Sequence, residues 1–321
     1  MSLKQIRKNI QYNAERKAMD ELAKRDFKRD KAIEKIYQQS MTRIQNQIDS
    51  FYLKYASNNG LSKAEVMKLV SKMDVTKFQD AAKLAVKTRD FSDEANYWLK
   101  IYNLKMKTSR LELMKAEINL ELISMTEDIS KLSNTAMMDE AMLEHKRQAG
   151  ILGNSVGRPA ERLQAVIDAD FYGKNFSERI WGRNGLYHQT QRDVFSSLSR
   201  IYTDMSGYKA ERTRLMKRFG VSRGEAQRLL RTEIARINSQ VQEQSLKDAE
   251  FTHYVYVAEP GACKLCSYYD GMLIPLDKAE IGVNLKPLHP NCRCSAYGVI
   301  KMERKDGTTN TDEYREYKVY E

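Results

Sequence analysis

A mainly α-helical fold is predicted by three features of this 321-residue sequence. Helix breakers are scarce, at 5 Pro and 15 Gly. The balance of 41% hydrophobic and 30% charged residues suits amphipathic helices rather than a disordered chain. Apolar residues return at helical steps of three and four over long stretches. The expected architecture is an elongated N-terminal helical region, then a helical C-terminal domain carrying a small stapled β-hairpin module, so that the C-terminal end is α+β. A chain of this length can build its core without disulfides.

Residues 1 to about 57 carry Ile6, Ile10, Met19, Leu22, Phe27, Ile33, Ile36 and Tyr37 at roughly helical intervals. Asn58-Asn59-Gly60 predicts a break, because Asn and Gly tolerate left-handed backbone. Ser62 with Glu65 has capping-box spacing, and Ser92 ahead of Asp93 and Glu94 is a second helix start. Leu111, Met114, Ile118, Leu122, Met125, Ile129 and Leu132 form one apolar seam, suited to packing inside the chain or to a coiled coil. Gly150 to Pro159 is the clearest domain limit, giving residues 1–150 as the N-terminal helical or coiled-coil region.

Residues 151–250 read as a domain of shorter helices, broken at Tyr172-Gly173, Gly182 to Gly185, Ser206-Gly207 and Gly220. Residues 251–301 change character. His253 to Val257 and Ala296 to Ile300 are β-branched and aromatic strands expected to pair, with Asp270-Gly271 as a turn between them. Residues 302–321 read as an exposed polar tail.

The net charge of +11 favours polyanions or acidic protein surfaces as partners. The charged N-terminus lacks the apolar core of a secretory signal, and no apolar run reaches the length of a membrane span; a cytoplasmic product with reduced thiols is therefore expected.

All 4 cysteines, Cys263, Cys266, Cys292 and Cys294, lie in one stretch with His289. A Cys-x-x-Cys knuckle brings two sulfurs to one ion with little strain, and Zn²⁺ takes four tetrahedral thiolate and imidazole ligands. Five donors compete for four places: Cys263, Cys266 and Cys292, with either His289 or Cys294. The alternatives are reduced cysteines on paired strands without an ion, or disulfides. Pro287 and Pro290 bracket His289 and stiffen the return strand. A zinc deaminase needs Pro-Cys-x-x-Cys and an upstream His-x-Glu, and a metalloprotease needs His-Glu-x-x-His; neither string is present. A catalytic thiol lacks an orienting third residue, and with no open-site constellation the expected metal is structural.

Residues 211–237 form a competing site. Leu215, Phe219, Gly220, Val221, Ala226 and Leu229 occupy helix-turn-helix positions, with Ser222 to Glu225 capping the second helix. Arg212, Arg214, Lys217, Arg218, Arg223 and Arg228 surround them as candidate nucleic-acid contacts. That reading gives a cytoplasmic DNA-binding protein; non-specific phosphate contact is the alternative use of the same charge. Trp181 reads as a core anchor, and Arg231 with Glu233 as an ion pair or helix cap.

Cys263-x-x-Cys266-x-x-x-Asp270-Gly271 followed by His289-Pro290-x-Cys292-Arg293-Cys294 resembles the C-terminal signature of the phage Mu F-like head morphogenesis proteins, minor capsid proteins of tailed phages. Phe176 to Trp181, Arg231-Thr232-Glu233, Arg236 and Asn238 resemble that family's helical portion, so the likeness spans roughly residues 155–300. Tyr254 and Tyr256 stand where the family pattern has Trp on the strand before the first cysteine. The resemblance implies a low-copy internal capsid component at the portal vertex, acting in head assembly and DNA packaging or delivery, not an enzyme. Implied partners are the portal protein, other capsid or scaffolding proteins and double-stranded DNA bound non-specifically. The implied location is the virion interior, and the host cytoplasm during assembly.

Overall fold

The computed structural model describes residues 3–58, 108–153, 159–203, 208–311 and 315–316. In chain order the helices are α1 (Leu3–Ile6), α2 (Ile10–Asn58), α3 (Thr108–Leu152), α4 (Ala160–Asp168), α5 (Phe176–Trp181), α6 (Leu186–Thr203) and α7 (Tyr208–Asp248). Strand β1 (His253–Val257), helix α8 (Lys264–Tyr269), strand β2 (Met272–Pro275), a 3₁₀ turn (Leu276–Lys278), β3 (Ser295–Val299) and β4 (Arg315–Glu316) complete the fold. The expected starts at Ser62 and Ser92 and the break after Asn58 lie outside the described residues, as does Ser206-Gly207.

The apolar seam of α3 is buried at Leu111, Met114, Ile118, Leu122, Met125 and Ile129, while Leu132 is only half-buried. The buried stripe continues through Ser133, Ala136, Met137, Glu140, Ala141, Glu144 and Gln148, so its second half is partly polar. In α2 the buried positions are Tyr12, Glu15, Leu22, Asp26, Ile33, Tyr37, Ser40, Ile44 and Ile48. Two residues expected on that stripe are exposed instead, Ile10 at 85% and Phe27 at 62%. The helical period is right, but polar Glu15, Asp26 and Ser40 occupy places that an apolar count assigns elsewhere.

Two compact units form from non-consecutive segments, and α2, α3 and α7 each supply residues to both. One comprises residues 34–128 and 179–224. Its interior carries a chain of hydroxyls, Tyr37 to Ser222 at 2.8 Å and Ser222 to Thr190 at 2.6 Å, beside an edge-on contact between Tyr37 and Phe219. Asn119 accepts from both Tyr187 (2.7 Å) and Gln191 (2.6 Å), and half-buried Trp181 packs 5.5 Å from the Tyr187 ring.

The other unit comprises residues 1–33, 129–178 and 225–321 and contains the sheet. The strand order is β3-β1-β2-β4. The first three strands are antiparallel, with Tyr254 opposite Gly298 and Ile274, while β4 adds two residues parallel to β2. The expected hairpin is therefore a small sheet: β1 and β3 do pair, and β2, which follows the Asp270-Gly271 turn, takes the opposite edge of β1. Gly298 leaves room for the end of α7, since a Cβ there would lie 2.3 Å from the Leu246 side chain. The tail is exposed over residues 301–308, as expected, and carries local structure. Glu303 bridges Thr309 around a turn at Gly307 (φ +82°), and Arg315–Glu316 returns to the sheet.

Strand alternation gives the sheet two apolar faces. Tyr254, Tyr256, Met272, Ile274 and Ala296 point into the core that holds three of the cysteines. Val255, Val257, Leu273, Tyr297 and Val299 point the other way and are covered by Ile6 and Tyr12. Asp270, 2% exposed, fastens this cover: it accepts from the Tyr12 hydroxyl (2.9 Å), the Arg7 guanidinium (2.9 Å) and the Ala258 amide (3.0 Å). Asp270→Ala strips the acceptor from a buried hydroxyl and a buried amide together, and is expected to cost about 2–4 kcal/mol in urea denaturation.

Buried charge is balanced throughout this unit. Glu140 receives Arg25 and Arg29; Arg147 bridges Glu15 (2.6 Å) and Glu144 (2.7 Å). The Ser295 hydroxyl donates to Glu15 at 2.5 Å and accepts from Lys286 at 3.2 Å. Residues 233–239 of α7 are buried on every side, and there Arg236 pairs with Glu233 at 2.8 Å while donating to the Val166 and Ile167 carbonyls of α4.

Candidate metal centre

After β1 the chain reverses through a turn, Ala262 N–H to Glu259 carbonyl at 3.1 Å with Gly261 at φ +77°, which delivers Cys263 to the start of α8. The Cys263 thiol accepts from the Cys266 amide at 3.5 Å. This hydrogen bond holds the Cys263 thiol below the ordinary cysteine range. The helical spacing brings Cys266 back beside it. Cys263 is exposed, whereas Cys266 is buried in the core.

The second half of the site comes from residues 288–294. This stretch is a turn rather than the expected stiff return strand, which begins only at Ser295. Cys292 N–H donates to the His289 carbonyl at 3.1 Å, with Asn291 in the left-handed region at φ +63°. His289 Nδ1–H donates to the Pro290 carbonyl at 2.9 Å, because a carbonyl oxygen can only accept. Nε2 faces the sulfurs, 3.3 Å from Cys263 and 3.2 Å from Cys266, and in the neutral imidazole it presents its lone pair to them. Cys292 Sγ lies 3.8 Å from Cys266 Sγ.

The donors form two overlapping groups, Cys263-Cys266-His289 and Cys266-Cys292-Cys294, with ligand atoms within 4.8 Å of one another in each. Cys266 belongs to both. Tetrahedral zinc separates its sulfur ligands by about 3.8 Å and sulfur from nitrogen by about 3.5 Å. The three spacings given above lie close to these, while among the described residues no four donors all fall within 4.8 Å of one another. Soft thiolate and imidazole donors with no carboxylate among them suit zinc and not magnesium or calcium.

Crowding divides the thiols. The hydrogen bond with Cys266 holds Cys292 well below the ordinary cysteine range, and the same contact drives Cys266 upward. Cys294 is pushed up to about 12: the Cys266 bond favours its thiolate, but the Cys292 contact and burial outweigh it. Like charges this close cannot all be present, and a cation among them would relieve the repulsion. The Tyr256 hydroxyl, 3.9 Å from Cys292, closes the buried wall, and burial raises its pKa far above that of a free phenol. Strand alternation from Tyr254 to Tyr256 signals that both face one side, but the sequence does not reveal that this side is the cysteine side.

The second predicted site has a different form. Residues 211–237 contain no turn, since α7 runs unbroken from Tyr208 to Asp248 through both Gly220 and Gly224. The helix-turn-helix reading is corrected here. Ser222 is not a cap; it is buried inside the helix, and its hydroxyl is spent on Tyr37 and Thr190. Among the basic candidates, Arg214 pairs with Glu211, Arg218 with Asp193 at 3.7 Å and Arg223 with Glu34 at 2.9 Å. Arg212, Lys217 and Arg228 are exposed. Among the described residues no helix is long and apolar enough to cross a membrane.

Residues 203–297 match the family model described as phage Mu protein F like protein, and this span holds α7, the three antiparallel strands up to Tyr297 and every donor of the candidate centre. No curated protein and no solved structure matches the chain.

Proposed function

We propose, with the phage Mu protein F like match over residues 203–297 as premise, that this chain is a phage head morphogenesis protein. In this reading it is a minor capsid component without enzymatic activity, present in few copies on the inside of the virion and in the host cytoplasm during assembly. It acts at the portal vertex in head assembly and in DNA packaging or delivery. Its partners are the portal protein and other capsid or scaffolding proteins. The observation that carries the proposal is that the family match and the Cys/His cluster coincide in one segment. The burial of Cys266, Cys292 and Cys294 supports a structural role, because a substrate has no approach to those thiols.

Within that role Cys263, Cys266, His289 and Cys292 hold Zn²⁺. His289 is favoured over Cys294 for the fourth place because its Nε2 already lies within 3.3 Å of both knuckle sulfurs. The ion would supply folding free energy by joining α8 to the turn before β3, as structural zinc does in small modules. Quantitative mass spectrometry of purified particles and procapsids tests the main proposal. A few copies per particle, counted against portal and major capsid protein, support it; absence from both overturns it.

DNA contact within this role rests on charge: Arg212, Arg214, Lys217, Arg218 and Arg228 are exposed, and Arg214 and Arg218 already face Glu211 and Asp193, which leaves Arg212, Lys217 and Arg228 for the test. Replacing all three with glutamine is expected to reduce the slope of log affinity against log salt by up to about 2.7. Fluorescence anisotropy with a labelled duplex measures this, and an unchanged slope removes these residues from DNA contact.

A further inference from the structure

We propose that Arg231 and Thr232 are positioning residues for the metal loop, holding the turn that presents His289 and Cys292; the inference rests on the zinc reading above. Both lie on α7, about sixty residues before the turn they touch. The Asn291 N–H donates to Thr232 Oγ1 at 3.2 Å, and Arg231 Nη1 donates to Asn291 Oδ1 at 3.1 Å. One residue is thus gripped at its backbone and its side chain by two consecutive helical positions.

Each grip is itself held. The Thr232 hydroxyl spends its proton on the Arg228 carbonyl at 2.7 Å, which leaves its oxygen lone pairs for the Asn291 amide. Arg231 Nη2 is fixed by Asp30 of α2 at 2.7 Å. The gripped residue is the one whose conformation matters most. Asn291 has φ +63°, a region that costs most residues about 1–2 kcal/mol and that asparagine visits with less penalty. It stands immediately before Cys292 and two residues after His289, and its left-handed turn closes the Cys292 N–H to His289 carbonyl bond. If the turn relaxes, the two donors separate and the knuckle loses its partners.

The physical effect expected is preorganisation. Groups that orient metal ligands without touching the metal typically change affinity by 10–100-fold when removed. Here they would do so through backbone conformation. The Arg-Thr pair and the neighbouring Glu233 thereby have separate tasks: Arg231 and Thr232 face the metal loop, while Glu233 neutralises Arg236 against the end of α4.

The test uses the full chain with Thr232→Val, Thr232→Ser and Arg231→Gln. Zinc affinity is read by competition with a chromophoric chelator, and site geometry by the ligand-field bands of the Co²⁺-loaded protein. Thr232→Val and Arg231→Gln are each expected to weaken zinc binding by about 10–100-fold and to lower the intensity of the tetrahedral cobalt bands. Thr232→Ser, which keeps the oxygen, is expected to restore both, while Lys247→Gln, on an exposed part of the same helix, leaves both unchanged. Wild-type affinity and an unaltered cobalt spectrum in Thr232→Val and Arg231→Gln would overturn the inference and leave the zinc reading standing. A wild-type chain that takes up neither metal overturns both together.

Discussion

Cys266→Ser is expected to abolish zinc uptake and to melt the sheet module at a temperature where the rest of the helices persist. Cys266 is the one donor common to both groups of the cluster, 1% exposed and 3.8 Å from Cys292 Sγ. A serine hydroxyl nearly matches the shape but is a poor zinc ligand at neutral pH, so what is lost is the ion rather than the packing. Structural zinc contributes on the order of 10 kcal/mol of apparent binding free energy at neutral pH, much of which appears as folding free energy in a small module. Cys294→Ser gives the contrast, because Cys294 lies outside the proposed ligand set; it should keep one zinc per chain with a modest loss of stability. Zinc content by elemental mass spectrometry and near-ultraviolet melting of the tyrosine-rich sheet provide the readouts. Equal zinc content in wild type and Cys266→Ser would reject the staple. Acid should mimic the Cys266 substitution, since protons compete with zinc for thiolates and imidazole and affinity falls with pH.

Glu233→Ala is expected to cost about 3–5 kcal/mol without touching the metal site. Arg236 is fully buried, and Glu233 is the only carboxylate among the described residues shown paired with it. The remaining bonds of the guanidinium go to the Gln240 side chain and to the Val166 and Ile167 carbonyls, which are neutral. Removing the anion leaves a cation in a low-dielectric interior, where the penalty is far larger than for an exposed pair. The double variant Glu233→Leu, Arg236→Met should recover much of the loss, because it removes the charge along with its partner. Urea midpoints at constant m-value compare the three proteins, and a single-variant cost below about 1 kcal/mol would contradict this account of the pair.

Periodicity made the helices legible. The α3 seam was visible from Leu111 to Ile129 because every member is apolar. Along α2 the same method misassigned Ile10 and Phe27, since several true interior positions carry Glu15, Asp26 and Ser40. Glu15 is held in that stripe by Arg147, 132 residues away, a partner that is unreadable from a local window. Gly220 misled for a related reason: glycine weakens a helix but does not end it when packing on both sides continues.

At the candidate centre the donor types were legible because Cys-x-x-Cys is a local geometric solution. What could not be read was the shared position of Cys266, the contact of His289 Nδ1 with the Pro290 carbonyl, or the grip of α7 on Asn291, all of which depend on chain reversal. Composition marks where a chain changes character; it does not mark that residues 1–33 and 225–321 share one compact unit.

The N-terminal cover over the sheet has a consequence for synthesis. Tyr12 and Arg7 meet Asp270 across 258 and 263 residues of chain. The cover leaves the ribosome before the sheet, and the surface it covers exists only after about 260 further residues have followed. At about 5–20 residues per second, that interval is on the order of tens of seconds. Throughout it Ile6 and Tyr12 lack the sheet face that buries them in the folded chain. The sheet in turn emerges with one greasy side ready to be claimed by the helix waiting for it.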